Sequence, residues 1–334
     1  MKRVNAITDV RGIEVGHAQD EEALTGCTVI ICRKGAVASV DVRGGAPGTR
    51  ETDLLNPINL VEKVHAIVLA GGSAFGLDAA SGVMRYLEEQ KIGFNTGAAK
   101  VPIVPSAILY DLNIGRADVR PDSAMGYRAA VSASSDAPSE GNVGVGTGAT
   151  VGKMFGLGLA MKSGVGTVSM EIGGGAIVGA LVAVNAWGDV IDPQTNEIIA
   201  GLRSGKVGPL RVGKKDYFAD TLTMMKSSVG RGVLGLASRA NTVIGAIGTN
   251  AKLTKAQATK VAQMAQDGIA RTVRPAHTML DGDVIFALST GTKKVDVSIV
   301  GAFAAEAMAE AVLRAVKMAA SIGEVPGFLT LNQK

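Results

Sequence analysis

Apolar positions along the chain follow two patterns. Short continuous runs, Thr28 to Cys32, Ala66 to Ala70, Ala176 to Val184, Val243 to Ile247 and Val284 to Leu288, read as strands buried on both faces. Three longer stretches carry the helical period. Ala74 to Gln90 follows a Gly71-Gly72-Ser73 turn. A second helix opens with a capping box, Thr254-x-x-Gln257, and places Val261, Ala262, Ala265 and Ile269 on one face. The third, Ile299 to Ser321, is Ala-rich and stops before Gly323 and Pro326. Strands and helices mixed in this way predict a layered α/β architecture. The longest uncharged run, Ile172 to Gly188, is shorter than the ~18 apolar residues of a spanning helix and reads as buried strands with a tight turn, so no membrane partner is expected.

Composition narrows the class. The 334 residues are 47% hydrophobic and 19% charged, which permits a large core and excludes disorder for the bulk of the chain. At ~150 residues per domain, the length allows about two domains or one large layered domain. Glycine is in excess, 44 residues or about 13% against a usual ~7%, yet without a Gly-X-Y period or a proline surplus, so collagen-like and low-complexity readings fail. With 4% aromatics the core is left to Ala, Val, Ile, Leu and Met. The net charge of +4 is dispersed. Its densest stretch, Lys206 to Lys215, has no interleaved aromatics, and no nucleic-acid partner is expected. Cys27 and Cys32 fall on opposite faces of one strand and form neither a CxxC redox pair nor a zinc half-site. Two such thiols, and charge before any apolar leader at the start, predict a cytoplasmic location.

Several motifs fail on inspection. Gly71-Gly72-Ser73-Ala74-Phe75-Gly76 lies between a strand and a helix, but Ser73 stands where a dinucleotide fingerprint needs Gly, and Phe75 where a nucleophile elbow needs it. What remains is a tight turn or an anion site for its amides. Gly144 to Lys153 resembles a phosphate loop, but Thr147 replaces its first Gly and Met154 its magnesium-binding hydroxyl. Of the three histidines, His65 is read as structural and His277 leaves a Ser/His/Asp arrangement open with Asp281, though no elbow supplies the serine. Asp281-Gly282-Asp283 offers only two ligands at short range to a metal.

The informative segment is Asn241-Thr242-Val-Ile-Gly-Ala-Ile-Gly-Thr-Asn250, followed by Leu253-Thr-Lys-Ala-Gln257 and by Arg274-Pro-Ala-His-Thr-Met-Leu-Asp-Gly-Asp-Val-Ile-Phe-Ala-Leu288. With Thr8-Asp9, Gly26-Cys-Thr-Val29 and Leu69-Ala-Gly-Gly-Ser73, these residues resemble, over nearly the whole chain, the L-aminopeptidase D-esterase (DmpA-type) family of self-processing N-terminal-nucleophile hydrolases. The Asn-Thr junction and the Asp-Gly-Asp look most like its nylon-oligomer hydrolases; other members tend to place Ser at the junction. The resemblance implies a four-layer αββα sandwich of the DmpA and ornithine acetyltransferase type. It also implies a single domain, 1–334, that cuts itself at Asn241-Thr242 into a larger chain, 1–241, and a smaller one, 242–334. No cofactor or metal is implied.

The residue types suit that chemistry. A threonine hydroxyl is a poor nucleophile, but an N-terminal threonine brings its own base, since a free α-amino group titrates near ~7.7 to 8.0. Thr242 at the head of an apolar strand would be rigidly held. Thr249 is a competing nucleophile, but a cut before it would strip the strand from its front. Asp281 and Asp283, two apart on an extended segment, point to one face; the resemblance has them accept hydrogen bonds from the Thr242 hydroxyl and ammonium. By the same resemblance Tyr110 lines the site, Asn185 offers its side-chain N–H to the oxyanion, and Lys153 positions Thr242 or the substrate.

The expected reaction is hydrolysis of short peptides or ω-amino-acid oligoamides by a homo-oligomer, a tetramer by resemblance. Two alternatives stand beside it: acyl transfer as in the ornithine acetyltransferases, and an unprocessed, non-enzymatic assembly or binding protein.

Overall fold

The computed structural model describes residues 3–214, 216–234 and 241–332; Lys215, the end of the basic stretch, lies outside them. Among the described residues one sheet dominates, built from β1 (Glu14–Asp20), β2 (Thr25–Val42), β3 (Thr49–Arg50), β4 (Lys63–Ala70), β5 (Ser106–Ile108), β6 (Val165–Glu171), β7 (Ile177–Asn185), β8 (Thr242–Ala251) and β9 (Val284–Lys293). Its order is β6, β7, β8, β9, β2, β4, β5, β3, with β1 beside the first half of β2. The neighbours run antiparallel except β8 with β9 and β4 with β5.

Alternation of side chains along these strands sorts the apolar residues into three cores. Cys27, Val29 and Ile31 of β2, with Ala66, Val68 and Ala70 of β4, pack beneath helices α1 (Ala79–Glu89) and α2 (Ser123–Val131). The residues between them, Ile30, Cys32, Ile67 and Leu69, turn inward to meet Leu181, Ile244, Ala246, Val284 and Phe286 from the other half of the sheet. The outer faces of β7, β8 and β9 carry Val182, Val184, Val243, Ile247 and Ile285 against helices α3 (Lys255–Thr272) and α4 (Val297–Lys317). Helix pair, half-sheet, half-sheet, helix pair: this is the expected αββα sandwich. Each buried Val, Leu or Ile contributes roughly 1.5–3 kcal/mol, so three such interfaces outweigh any local propensity.

The two β layers are one hydrogen-bonded sheet because the 18-residue β2 belongs to both. Its first half pairs with β4 and its second with β9. Small residues let the paired helices approach closely: a Cβ on Gly268 of α3 would sit 2.4 Å from the carbonyl oxygen of Ala305 in α4. The capping box at Thr254 and Gln257 forms as expected. Cys27 and Cys32 face different cores. Residues 73–78 open the first expected helix as a 3₁₀ turn, with Gly72 left-handed at φ 77°. The Ile172 to Gly188 run resolves into left-handed glycines 173–175 followed by β7. Among the described residues no helix is long and apolar enough to cross a membrane.

Candidate active site

β8 carries Thr242 to the centre of the sheet. On one side β7 pairs antiparallel with it and sets Asn185 directly opposite Thr242. On the other, β9 runs parallel, and the residues just before it extend the ladder past the strand end, where Asn241 bridges Asp281. Three segments distant in sequence therefore meet at the Asn241–Thr242 bond. Asn241, Thr242, Asn185, Asp281, Asp283 and Lys153 are all buried there.

The junction carbonyl is the focus. The Thr242 hydroxyl donates to the Asn241 carbonyl oxygen, which also receives the Gly282 N–H at 2.9 Å. Glycine is needed at 282, because a Cβ would stand 3.0 Å from the Thr242 hydroxyl oxygen and 2.8 Å from the Ala46 carbonyl oxygen.

The two aspartates do different work. Asp283 accepts the Val243 N–H at 2.7 Å through Oδ1, fixing the strand residue that follows Thr242. Its Oδ2 takes the main-chain N–H of His277 at 3.0 Å and lies 2.8 Å from the His277 Nδ1. Asp281 accepts the Thr278 N–H at 2.8 Å and hydroxyl at 2.6 Å. Burial, then the neighbouring Asp283 charge, raises the Asp281 pKa. His277 thus pairs with Asp283 rather than with Asp281.

Lys153 holds Asn185. Its ammonium donates to the Asn185 backbone carbonyl at 2.8 Å and to Oδ1 at 2.7 Å. Burial lowers its pKa to about 7, partly offset by Asp281 and Asp111. Asn185 Oδ1 also accepts the Thr150 N–H at 3.0 Å, and Nδ2 donates to the Tyr110 carbonyl at 2.9 Å. Tyr110 therefore enters the cluster through its main chain, with a half-buried side chain.

The discarded motifs find structural roles. Asp111, beside Tyr110, takes the Gly72 N–H and the Thr25 hydroxyl, both at 2.7 Å, so a carboxylate of the chain itself fills the turn that could have bound an anion. In the Gly144 to Lys153 loop the carbonyls point inward onto a cation. Lys162, unread in the sequence, donates to the carbonyls of Gly146 at 2.9 Å, Ala149 at 2.8 Å and Ser163 at 2.5 Å, the opposite polarity to a phosphate cradle. His65 accepts the Ile103 N–H at 3.1 Å as a structural residue. The Thr249 hydroxyl is spent on the Ile177 carbonyl at 2.8 Å, and the residue sits inside the ladder, paired on both sides.

Known proteins match this chain in sequence and in fold. The profile of peptidase family S58 matches residues 5–328. An uncharacterized aminopeptidase of Mycobacterium tuberculosis is 43% identical over 97% of each chain. A 6-aminohexanoate-oligomer endohydrolase of Kocuria sp. is 32% identical over 92% of this chain and 85% of its own. The L-aminopeptidase D-Ala-esterase/amidase of Ochrobactrum anthropi, described as a variant of the Ntn hydrolase fold, superposes with a TM-score of 0.68 at 21% identity over 94% of this chain and 86% of that one. A family profile spanning nearly the whole chain, close relatives of full length and the same layered fold agree: this chain belongs to peptidase family S58 and is a hydrolase of peptide or amide bonds.

Proposed function

We propose that the chain matures by cutting its own Asn241–Thr242 bond and that the freed Thr242 is the nucleophile for substrate amides. The observation that carries this reading is the Thr242 hydroxyl held against the carbonyl of the peptide bond before it, at the head of a central strand. In maturation Thr242 Oγ1 bonds to the Asn241 carbonyl carbon, the C–N bond breaks, and the hydroxyl proton passes to the departing Thr242 nitrogen. Water then splits the resulting ester into an Asn241 carboxylate and a free Thr242 hydroxyl. In turnover the new α-amine takes the hydroxyl proton as Oγ1 attacks the substrate carbonyl, and returns it to the leaving amine. Water releases the acyl group.

Asp283 fixes Val243, and with it the nucleophile; Asn185, oriented by Lys153 and Thr150, is the side-chain donor to the substrate oxyanion, with Tyr110 bordering it. Asp281 supplies negative charge beside the new ammonium. The substrates are short peptides or ω-amino-acid oligoamides, a reading supported by relatives named aminopeptidase and 6-aminohexanoate-oligomer endohydrolase. By the resemblance, the enzyme is a cytoplasmic homotetramer of cleaved subunits.

Denaturing electrophoresis tests the core of this reading. Mature protein should separate into pieces of 241 and 93 residues (334 − 241 = 93). A single intact band in a fully active sample sinks it.

A further inference from the structure

We propose that the main-chain N–H of Gly282 is the oxyanion donor of the maturation step; this rests on the self-cleavage reading above. When Thr242 Oγ1 attacks, the Asn241 carbonyl oxygen takes up the negative charge. The Gly282 N–H already lies 2.9 Å from that oxygen, the distance at which a donor stabilises a developing oxyanion. Because the bond becomes charge-assisted only as the reaction proceeds, it favours the transition state over the resting precursor.

The donor is fixed in advance by backbone alone. The loop at residues 43–46 wraps the Asp281 to Asp283 segment: the Ala46 N–H bonds the Asp281 carbonyl at 2.8 Å, and the Arg43 and Gly44 N–H groups bond the Asp283 carbonyl at 2.9 and 3.2 Å. The approach is so close that a Cβ on Gly44 would fall 2.3 Å from the Asp281 carbonyl oxygen. The flanking carboxylates are turned to other donors, Asp281 to Thr278 and Asp283 to Val243 and His277. At 282 itself the missing side chain leaves room for the hydroxyl and the N–H to meet one oxygen together. The Asp-Gly-Asp motif thus supplies a donor between its two acids.

The test removes the N–H without adding an atom. Cell-free translation with glycolic acid at codon 282 replaces the amide N–H by an ester oxygen in the full chain. The same exchange at Gly45, whose N–H bonds the Thr278 carbonyl at 3.1 Å, removes a neighbouring backbone bond that does not touch Asn241. Conversion of precursor to two pieces is timed by denaturing electrophoresis, and thermal melting in a Thr242→Ala background reports whether each ester chain folds. The 282 ester should mature about 10²- to 10³-fold more slowly, and the 45 ester near the wild-type rate. Maturation of the 282 ester as fast as wild type overturns the proposal, as does equal slowing by both esters or an ester chain that slows only because it no longer melts cooperatively. A wild-type chain that never cleaves overturns instead the self-cleavage reading on which the proposal rests.

Discussion

Replacing Lys153 by Met separates the proposed catalytic use of this lysine from a structural one. The substitution keeps the length of the side chain and removes the ammonium, so the Asn185 carbonyl and Oδ1 lose donors at 2.8 and 2.7 Å. A buried acceptor deprived of its partner costs ~1–3 kcal/mol, and Oδ1 keeps the Thr150 N–H, so roughly one full penalty applies. Against it stands the relief of burying an ammonium, several kcal/mol in this kind of environment. The two oppose each other, and the folded state should stay within about 2 kcal/mol of wild type. Catalysis has no such compensation. Without the ammonium the Asn185 amide loses one of the bonds that orient it, and an impaired oxyanion donor costs up to ~10²- to 10³-fold in kcat. Urea unfolding gives the stability, and kcat with KM on a peptide amide and on a 6-aminohexanoate oligomer gives the activity. Wild-type kcat in Lys153→Met refutes the reasoning; so does a collapse of stability with kcat preserved in whatever remains folded.

Thr242→Ala should leave one intact 334-residue chain and no amide hydrolysis, checked by electrophoresis and turnover; residual activity would place the nucleophile elsewhere. Gly282→Ala should slow maturation and destabilise the chain by ~1–3 kcal/mol, since its Cβ would press the Thr242 hydroxyl oxygen at 3.0 Å and the Ala46 carbonyl at 2.8 Å. His277→Ala removes a bond to the Asp283 carboxylate worth ~1.5–3 kcal/mol and should lower kcat more than it raises KM, because Asp283 holds Val243, the residue next to the proposed nucleophile. Stability should also rise with pH above neutrality. Lys153 and Lys162 each titrate at about 7 when folded against 10.5 when free, so between those values the unfolded chain holds protons that the folded chain does not. Urea midpoints of the Thr242→Ala chain at pH 7 and 9 measure this, and a midpoint that falls with pH contradicts it.

Local signals made some of this legible in the sequence. The apolar run after Thr242, the capping box at Thr254 and the alternating faces of Cys27 and Cys32 each rest on a period or a cap, and each appears in the fold. Interactions across the chain were hidden. The run Thr28 to Cys32 gives only part of β2, because Arg33-Lys34-Gly35 interrupts the apolar pattern while the ladder continues through Val42. Helix α2 has a capping Asp122, whose Oδ1 takes the Met125 N–H, but too weak an apolar stripe to stand out. Nothing near Arg43-Gly-Gly-Ala46 says that this loop clamps residues 281–283. Lys162 reads as any surface lysine until three carbonyls are seen to surround it, and His277 lies nearer in sequence to Asp281 than to the Asp283 it meets.

The position of the junction would let the proposed cut at Asn241–Thr242 leave the two pieces together. Asn241 lies beyond the end of β8 and is joined to the ladder by the bridge to Asp281 and the Gly282 N–H bond. Thr242 onwards is bonded on both edges, to β7 from Asn185 to Val178 and to β9 from Val284 to Ser289. The 242–334 piece therefore supplies two adjacent inner strands, flanked by β7 and β2 of the other piece, and both helices of one outer layer. The proposed cleavage would remove one covalent bond and leave those interfaces buried, so it should cost the fold little while giving Thr242 a free amine. The two pieces of a cut chain should co-purify in native buffer and separate only in denaturant, and a 93-residue piece that dissociates on dilution would contradict this account of the sheet.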